Sequence, residues 1–155
     1  MVKRLPTNIL VPVDGSKHME DNIAYACDLA KSMSSKVTLI HVVILPTVVG
    51  PGLMTPTVTL PSFIDPKPFE EAGLMLLQKA KEIAKKNGVD PDTKLARTLG
   101  NPAQEILEGA ETGKFDLIVI GAKGHSLIRN MTVGSVCDTV VHNAPCPVLV
   151  LHHQP

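Results

Sequence analysis

The chain predicts an α/β fold in which a parallel sheet carries helices on both faces. Three observations lead there. Short apolar runs alternate with longer stretches of helical periodicity in the order β-α-β-α-β-α-β-α-β. The runs are apolar throughout rather than alternating, as in Leu117-Ile118-Val119-Ile120, which marks strands covered on both sides. Glycine, serine and asparagine fall where strand gives way to helix.

Residues 8–13 read as the first strand, with Pro12 marking its end because proline brings no N–H to a ladder. Asp14-Gly15-Ser16 makes a turn, and Ser16 is the expected N-cap of a helix over about 17–33. Met19, Ile23, Ala26, Ala30 and Met33 supply its apolar stripe, and Ser34-Ser35 ends it. Val37–Val43 is a second strand. Phe69–Lys86 is a second helix with Gly88 as its C-cap. Lys94–Thr98 is a weaker strand. Asn101-Pro102-Ala103-Gln104 opens a third helix, with Asn as cap, Pro in the first turn and Gln closing a capping-box-like arrangement. Gly113 ends that helix. Strand Leu117–Ile120, a glycine loop, a helix over about 134–142 and strand Val148–Leu151 complete the chain.

Residues 46–68 stand apart. Prolines at 46, 51, 56, 61, 66 and 68 exclude a regular helix or a central strand. No Asp, Glu, Lys or Arg occurs from Val37 to Ile64, whereas a free linker is usually polar. Two readings stay open: a long, partly mobile insertion, or an arm that packs on a partner subunit or lids the site.

The glycine pattern carries the chemistry. Gly121, Gly124 and Gly134-Ser135 spell Gly-x2-Gly-x9-Gly-Ser on a strand–loop–helix. Glycine lets backbone turn tightly and approach a ligand with no Cβ in the way. The helix start after Gly134 presents N–H groups and a positive dipole end, which suit phosphate. The loop holds Lys123, His125 and Arg129 and no acid. A nucleotide phosphate is the expected ligand. Neither the P-loop nor the dinucleotide fingerprint is present: Gly109-x3-Gly113-Lys114-Phe115 is one residue short and ends in Phe.

These residues resemble the universal stress protein family, in particular its ATP-binding branch. Ile9-Leu10-Val11-Pro12-Val13-Asp14-Gly15-Ser16 is similar to that family's first strand and acidic end, and Leu39-Ile40-His41-Val42-Val43 to its second strand. Pro145-Cys146-Pro147-Val148-Leu149-Val150 is similar to its last. The resemblance spans nearly the whole chain. It implies a Rossmann-like three-layer sandwich with a five-stranded parallel sheet in the order 3-2-1-4-5, all within one domain over 1–155. That order puts the topological switch point between the first and fourth strands, so Asp14 and Gly121 converge there. The resemblance further implies ATP with Mg²⁺, and a homodimer paired through strand 148–151. One departure is the pair Ala122-Lys123, where the family commonly has a hydroxyl and a His or Arg. Any contact from Ala122 is then a backbone contact.

The expected nucleotide-binding set has three parts. By resemblance, Pro12 and Val13 line the purine and ribose side, and Val42 offers backbone contacts to adenine. Asp14 is either a turn former or a carboxylate for ribose hydroxyls or Mg²⁺. Gly121, Ala122, Lys123, Gly124, His125, Ser126, Arg129, Gly134, Ser135 and Val136 form the phosphate side. For the glycines the alternative is ordinary turns, for Ser135 a plain N-cap, and for Lys123, His125 and Arg129 a solvated basic loop. His41 is expected in the core and His18 exposed in a first helical turn. Cys137, His142 and Cys146 lack the paired Cys-x2-Cys spacing of structural zinc sites.

Composition bounds the rest. A chain of 155 residues with 44% apolar residues buries a core of its own. Formal net charge is +0, so nucleic acid and membrane surfaces are not expected partners. Aromatics are limited to Tyr25, Phe63, Phe69 and Phe115, too few for base-stacking platforms. The odd Cys27, Cys137 and Cys146 fit a reducing cytoplasm. Three functions follow as candidates: an ATP-holding stress or energy-state responder, a slow ATPase or phosphotransferase, and a nucleotide-independent module acting through the Pro-rich arm.

Overall fold

The computed structural model describes residues 4–46, 48–49, 58–59, 65–124 and 133–153. Its elements are β1 (Asn8–Pro12), α1 (Met19–Met33), β2 (Lys36–Ile44), β3 (Val48–Val49), β4 (Val58–Thr59) and α2 (Lys67–Lys86). They continue with β5 (Asp92–Thr98), α3 (Pro102–Thr112), β6 (Leu117–Gly121), α4 (Ser135–Asn143) and β7 (Val148–Leu151). Five strands form one parallel sheet in the order β5-β2-β1-β6-β7. Counting only the strands of that sheet, this is 3-2-1-4-5, the Rossmann-like order expected. β3 and β4 make a separate antiparallel ribbon, Val48 opposite Thr59 and Val49 opposite Val58. Apart from this ribbon and its two ends, the Pro-rich segment lies outside the described residues.

Alternation along the strands splits the core in two, because successive side chains leave opposite faces of a sheet. Ile9, Val11, Val37, Leu39 and Val119 face Ile23, Ala26 and Ala30 of α1 and Leu77, Ala80 and Ala84 of α2. Leu10, Ile40, Ile118 and Ile120 face Ala103, Ile106 and Ala110 of α3 and Val140 of α4. Full burial of each such branched side chain stabilises by about 1.5–3 kcal/mol. The start of β1 is pinned to the start of β6 by Asp116. Its carboxylate accepts the amides of Thr7 at 2.9 Å and Asn8 at 2.8 Å, and the Thr7 hydroxyl at 2.9 Å.

Several helix ends differ from expectation for local reasons. Ser16 does not cap α1. Its amide donates to Asp14 Oδ1 at 3.0 Å and its carbonyl accepts from the Met19 amide at 3.1 Å, so it stays inside an Asx turn. α1 begins with His18 at the N-cap and no side-chain cap. α2 starts two residues earlier than expected, at Lys67, because Pro68 is tolerated in a first turn. Its C-cap is Asn87, and Gly88 follows at φ +83°. The Gly88 amide bonds to the Lys85 carbonyl and the Val89 amide to that of Ala84, both at 3.0 Å, which is a Schellman closure. Asn101 does cap α3, its Oδ1 accepting the Gln104 amide at 3.2 Å. The reciprocal half of the box is absent. Gln104 Nε2 reaches Glu108 at 2.9 Å, while the Asn101 amide is taken by Thr98 Oγ1 at 3.0 Å. α4 is capped by Gly134, with Ser135 already its first helical residue.

Candidate functional site

β1 and β6 are neighbours in register, Ile9 with Leu117 and Leu10 with Ile118, so their carboxyl ends open side by side. A cavity of about 340 Å³ lies there, within the range of small-ligand sites. Its walls come from opposite directions along the sheet. On the β2 side, Val42 and Ile44 face Pro102 and Ile106 of α3 and make an apolar slot. On the β6 side stand Gly121, Lys123, Gly124, Gly134, Ser135 and Val136. Pro12, Val13 and Asp14 form the seam between the two.

The polar end is built from backbone. The first intrahelical bond of α4 runs from the Asp138 amide to the Gly134 carbonyl at 2.9 Å. The amides of Ser135, Val136 and Cys137 therefore precede it and have no partner within the helix. All three residues line the cavity. Such amides, with the positive helix end and the Lys123 ammonium, make a binding surface for an anion. The Gly134 amide is not part of it, since it donates to the Ala122 carbonyl at 2.6 Å.

Two glycines hold their places by close approach. A Cβ on Gly121 would lie 2.6 Å from Asn22 Nδ2, and one on Gly124 would run into Asp14 Oδ2. Asp14 is exposed at the cavity rim and is the one carboxylate among the described lining residues.

Pro12, Val13, Asp14, Val42, Gly121, Lys123, Gly124, Gly134, Ser135 and Val136 are thus brought to one cavity. Ala122 is not on its wall. Buried, it donates its amide to the Leu151 carbonyl at 2.9 Å and accepts from Gly134, so it fastens the loop from behind. His125, Ser126 and Arg129 lie outside the described residues.

The cavity also holds residues the sequence reading passed over. His41, expected in the core, is half-buried on the wall with Nδ1 2.7 Å from the Val13 carbonyl. A carbonyl only accepts, so Nδ1 carries the proton. Asn22 is buried at the cavity side of α1, its Oδ1 2.6 Å from His153 Nε2. A signal for it existed: Asn22 stands four residues before Ala26 and eight before Ala30, an amide in an apolar stripe. Ile44, Pro102 and Ile106 gave no local signal, because only the folded sheet places them opposite β1.

His18 is half-exposed and stacks on His153, ring centroids 4.2 Å apart and planes 2° from parallel. Desolvation, then the neighbouring His153 and Lys17, pull its pKa below the ordinary imidazole value against the pull of Asp21. The cysteines are quiet. Burial pushes the Cys137 thiol up, with Asp138 adding to it, and pushes up Cys27 and Cys146 as well. His142 turns to its own helix, Nδ1 2.8 Å from the Asp138 carbonyl.

Residues 6–152 match the model of the universal stress protein family. The chain belongs to this family. A universal stress protein of Methanocaldococcus jannaschii is 34% identical over 153 residues, spanning 96% of this chain and 84% of the relative. The universal stress protein YxiE of Bacillus subtilis is 36% identical over 146 residues, spanning 92% of this chain and 97% of the relative. The solved universal stress protein of Archaeoglobus fulgidus in complex with dAMP superposes with a TM-score of 0.66 at 26% identity, over 93% of this chain and 96% of that one. The family match takes in β1 through β7 and so every described wall of the cavity. No helix among the described residues of this universal stress protein is long and apolar enough to cross a membrane.

Proposed function

We propose that this universal stress protein binds ATP as its Mg²⁺ complex in the cavity between β1 and β6, and acts as a cytoplasmic homodimer that reports stress or energy state. The observation that carries the reading is the cavity's two-ended character. An apolar slot of Val42, Ile44, Pro102 and Ile106 suits a base. The opposite end, with Lys123 and the amides of Ser135 and Val136, suits phosphates. The seam residues Pro12 and Val13 would then line the purine and ribose side, and Asp14 beside Gly124 would help hold the metal. Bound Mg²⁺ would offset phosphate charge. The similar structure with dAMP supports an adenine nucleotide in this family.

The dimer rests on β7. It pairs with β6 on one side, and its half-buried Val148, Leu149 and Val150 offer an apolar edge that needs covering. Light scattering on a sizing column at micromolar concentration is expected to give twice the chain mass; a monomer there contradicts the assembly.

The nucleotide is tested by purifying the protein without added nucleotide, denaturing it and weighing what is released. ATP or ADP near one per chain supports the reading, and a fixed ATP:ADP ratio over hours separates a holder from a slow ATPase. No nucleotide, together with no thermal stabilisation at about 100 times a micromolar dissociation constant (expected gain about 2.7 kcal/mol), rejects it.

A further inference from the structure

The start of α1 and the tail after β7 meet beside the cavity but outside it. There His18, Asp21 and His153 bring one ligand atom each to within 4.8 Å of one another. We propose that these three side chains bind a transition-metal dication of the zinc class.

The donor chemistry selects the ion. Two imidazoles and a carboxylate suit zinc, cobalt, nickel and copper, whereas magnesium and calcium take oxygen ligands. Bonds of about 2.0–2.2 Å to a tetrahedral ion put ligand atoms roughly 3.3–3.6 Å apart. The cluster must tighten by about 1 Å, and His18, half-exposed, and Asp21, exposed, are free to rotate toward each other. The parallel stack must open at the same time, because an ion cannot lie in the planes of two stacked rings.

The second observation is that His153 is already oriented. Asn22 Oδ1 lies 2.6 Å from its Nε2 and only accepts, so Nε2 carries the proton and Nδ1 keeps its lone pair for a metal. Asn22 is buried and follows Asp21 directly. Its backbone amide bonds to the His18 carbonyl at 2.9 Å, so the first turn of α1 sets the spacing of His18 and Asp21, and the Asn22 side chain ties His153 to that turn. This is the outer partner that metal-bound histidines regularly have. The helix's positive end and Lys17 and Lys123 act against a cation, while Glu20 and Asp21 act for it. The ion is therefore reversible rather than structural.

The test uses the full chain, freed of nucleotide and metal, and Zn²⁺ alone by titration calorimetry. Co²⁺ absorption then reports the ligand set. One Zn²⁺ per chain is expected, lost in His18→Ala and in His153→Ala and weakened about tenfold or more in Asp21→Asn. His142→Ala serves as the control and is expected to bind as the wild type does. Circular dichroism shows that the variants are folded, and nitrogen-edited spectra of the wild type are expected to shift the His18 and His153 rings together. Absence of binding, equal binding by wild type and His153→Ala, or a Co²⁺ spectrum with thiolate bands overturns the proposal. No nucleotide enters the titration, so its failure leaves the ATP reading untouched.

Discussion

Gly121→Ala tests how tightly the site is built. The new Cβ would sit 2.6 Å from Asn22 Nδ2 and 3.5 Å from Asn22 Cγ. Real carbon atoms do not approach so closely, and Asn22 is buried, with its oxygen engaged on His153. The amide must move, and moving it gives up that hydrogen bond. Overpacking of this kind costs about 1–3 kcal/mol and a lost hydrogen bond about 1 kcal/mol. A combined cost of about 3 kcal/mol lowers Tm by about 6–12 °C in a domain of this size. Backbone strain adds nothing, since Gly121 is not among the glycines with positive φ. Calorimetric or dichroic melting of the variant checks the value, with Gly100→Ala as control because a Cβ there meets nothing within 4 Å. A Gly121→Ala protein melting within about 1 °C of wild type would refute the reasoning.

Gly124→Ala is expected to separate binding from folding. Its Cβ displaces the exposed Asp14 carboxylate, whose other oxygen holds the Ser16 amide, so stability falls by no more than about 1 kcal/mol while Mg-ATP affinity in calorimetry falls about tenfold or more. Asp116→Ala is expected to cost about 1–2 kcal/mol in urea denaturation. Burial alone would raise the Asp116 carboxyl, but the Thr7 and Asn8 amides and the Thr7 hydroxyl outweigh it and hold its pKa below the ordinary carboxylate value. A depressed pKa stabilises above the unfolded value and is lost as pH falls through the folded one. The gap between wild type and variant should thus shrink below about pH 4, and a gap that widens there counts against the assignment. Asn101→Ala removes the α3 cap from the Gln104 amide and should cost about 1 kcal/mol, read from the same denaturation midpoints.

Much of the scaffold is written locally. Apolar runs such as Leu117–Ile120 mark buried strands, and Asn101-Pro102 marks a helix start. The errors concern choices between competing local bonds. Ser16 looked like a cap, but the Asp14 carboxylate holds its amide in a turn. Gln104 looked like a box partner, but the Asn101 amide it would accept already donates to Thr98 Oγ1. The polar end of the cavity was legible because Gly121, Gly124 and Gly134 sit close in sequence. The apolar slot was not, because Ile44 and Ile106 meet only through strand order. The His18–His153 stack was the least legible, since no local pattern joins residues at opposite ends of a chain.

The peptide groups of Ala122 and Gly134 have a use beyond holding the loop. The Ala122 amide hydrogen is held by Leu151 at the end of β7, and the Gly134 amide hydrogen is held by Ala122. A proton on either nitrogen exchanges with solvent only when its acceptor lets go. The first therefore times the loosening of the last strand, and the second times the loosening of the glycine loop. These two clocks, which share the Ala122 peptide, record the C-terminal edge and the cavity separately in a single hydrogen-exchange experiment.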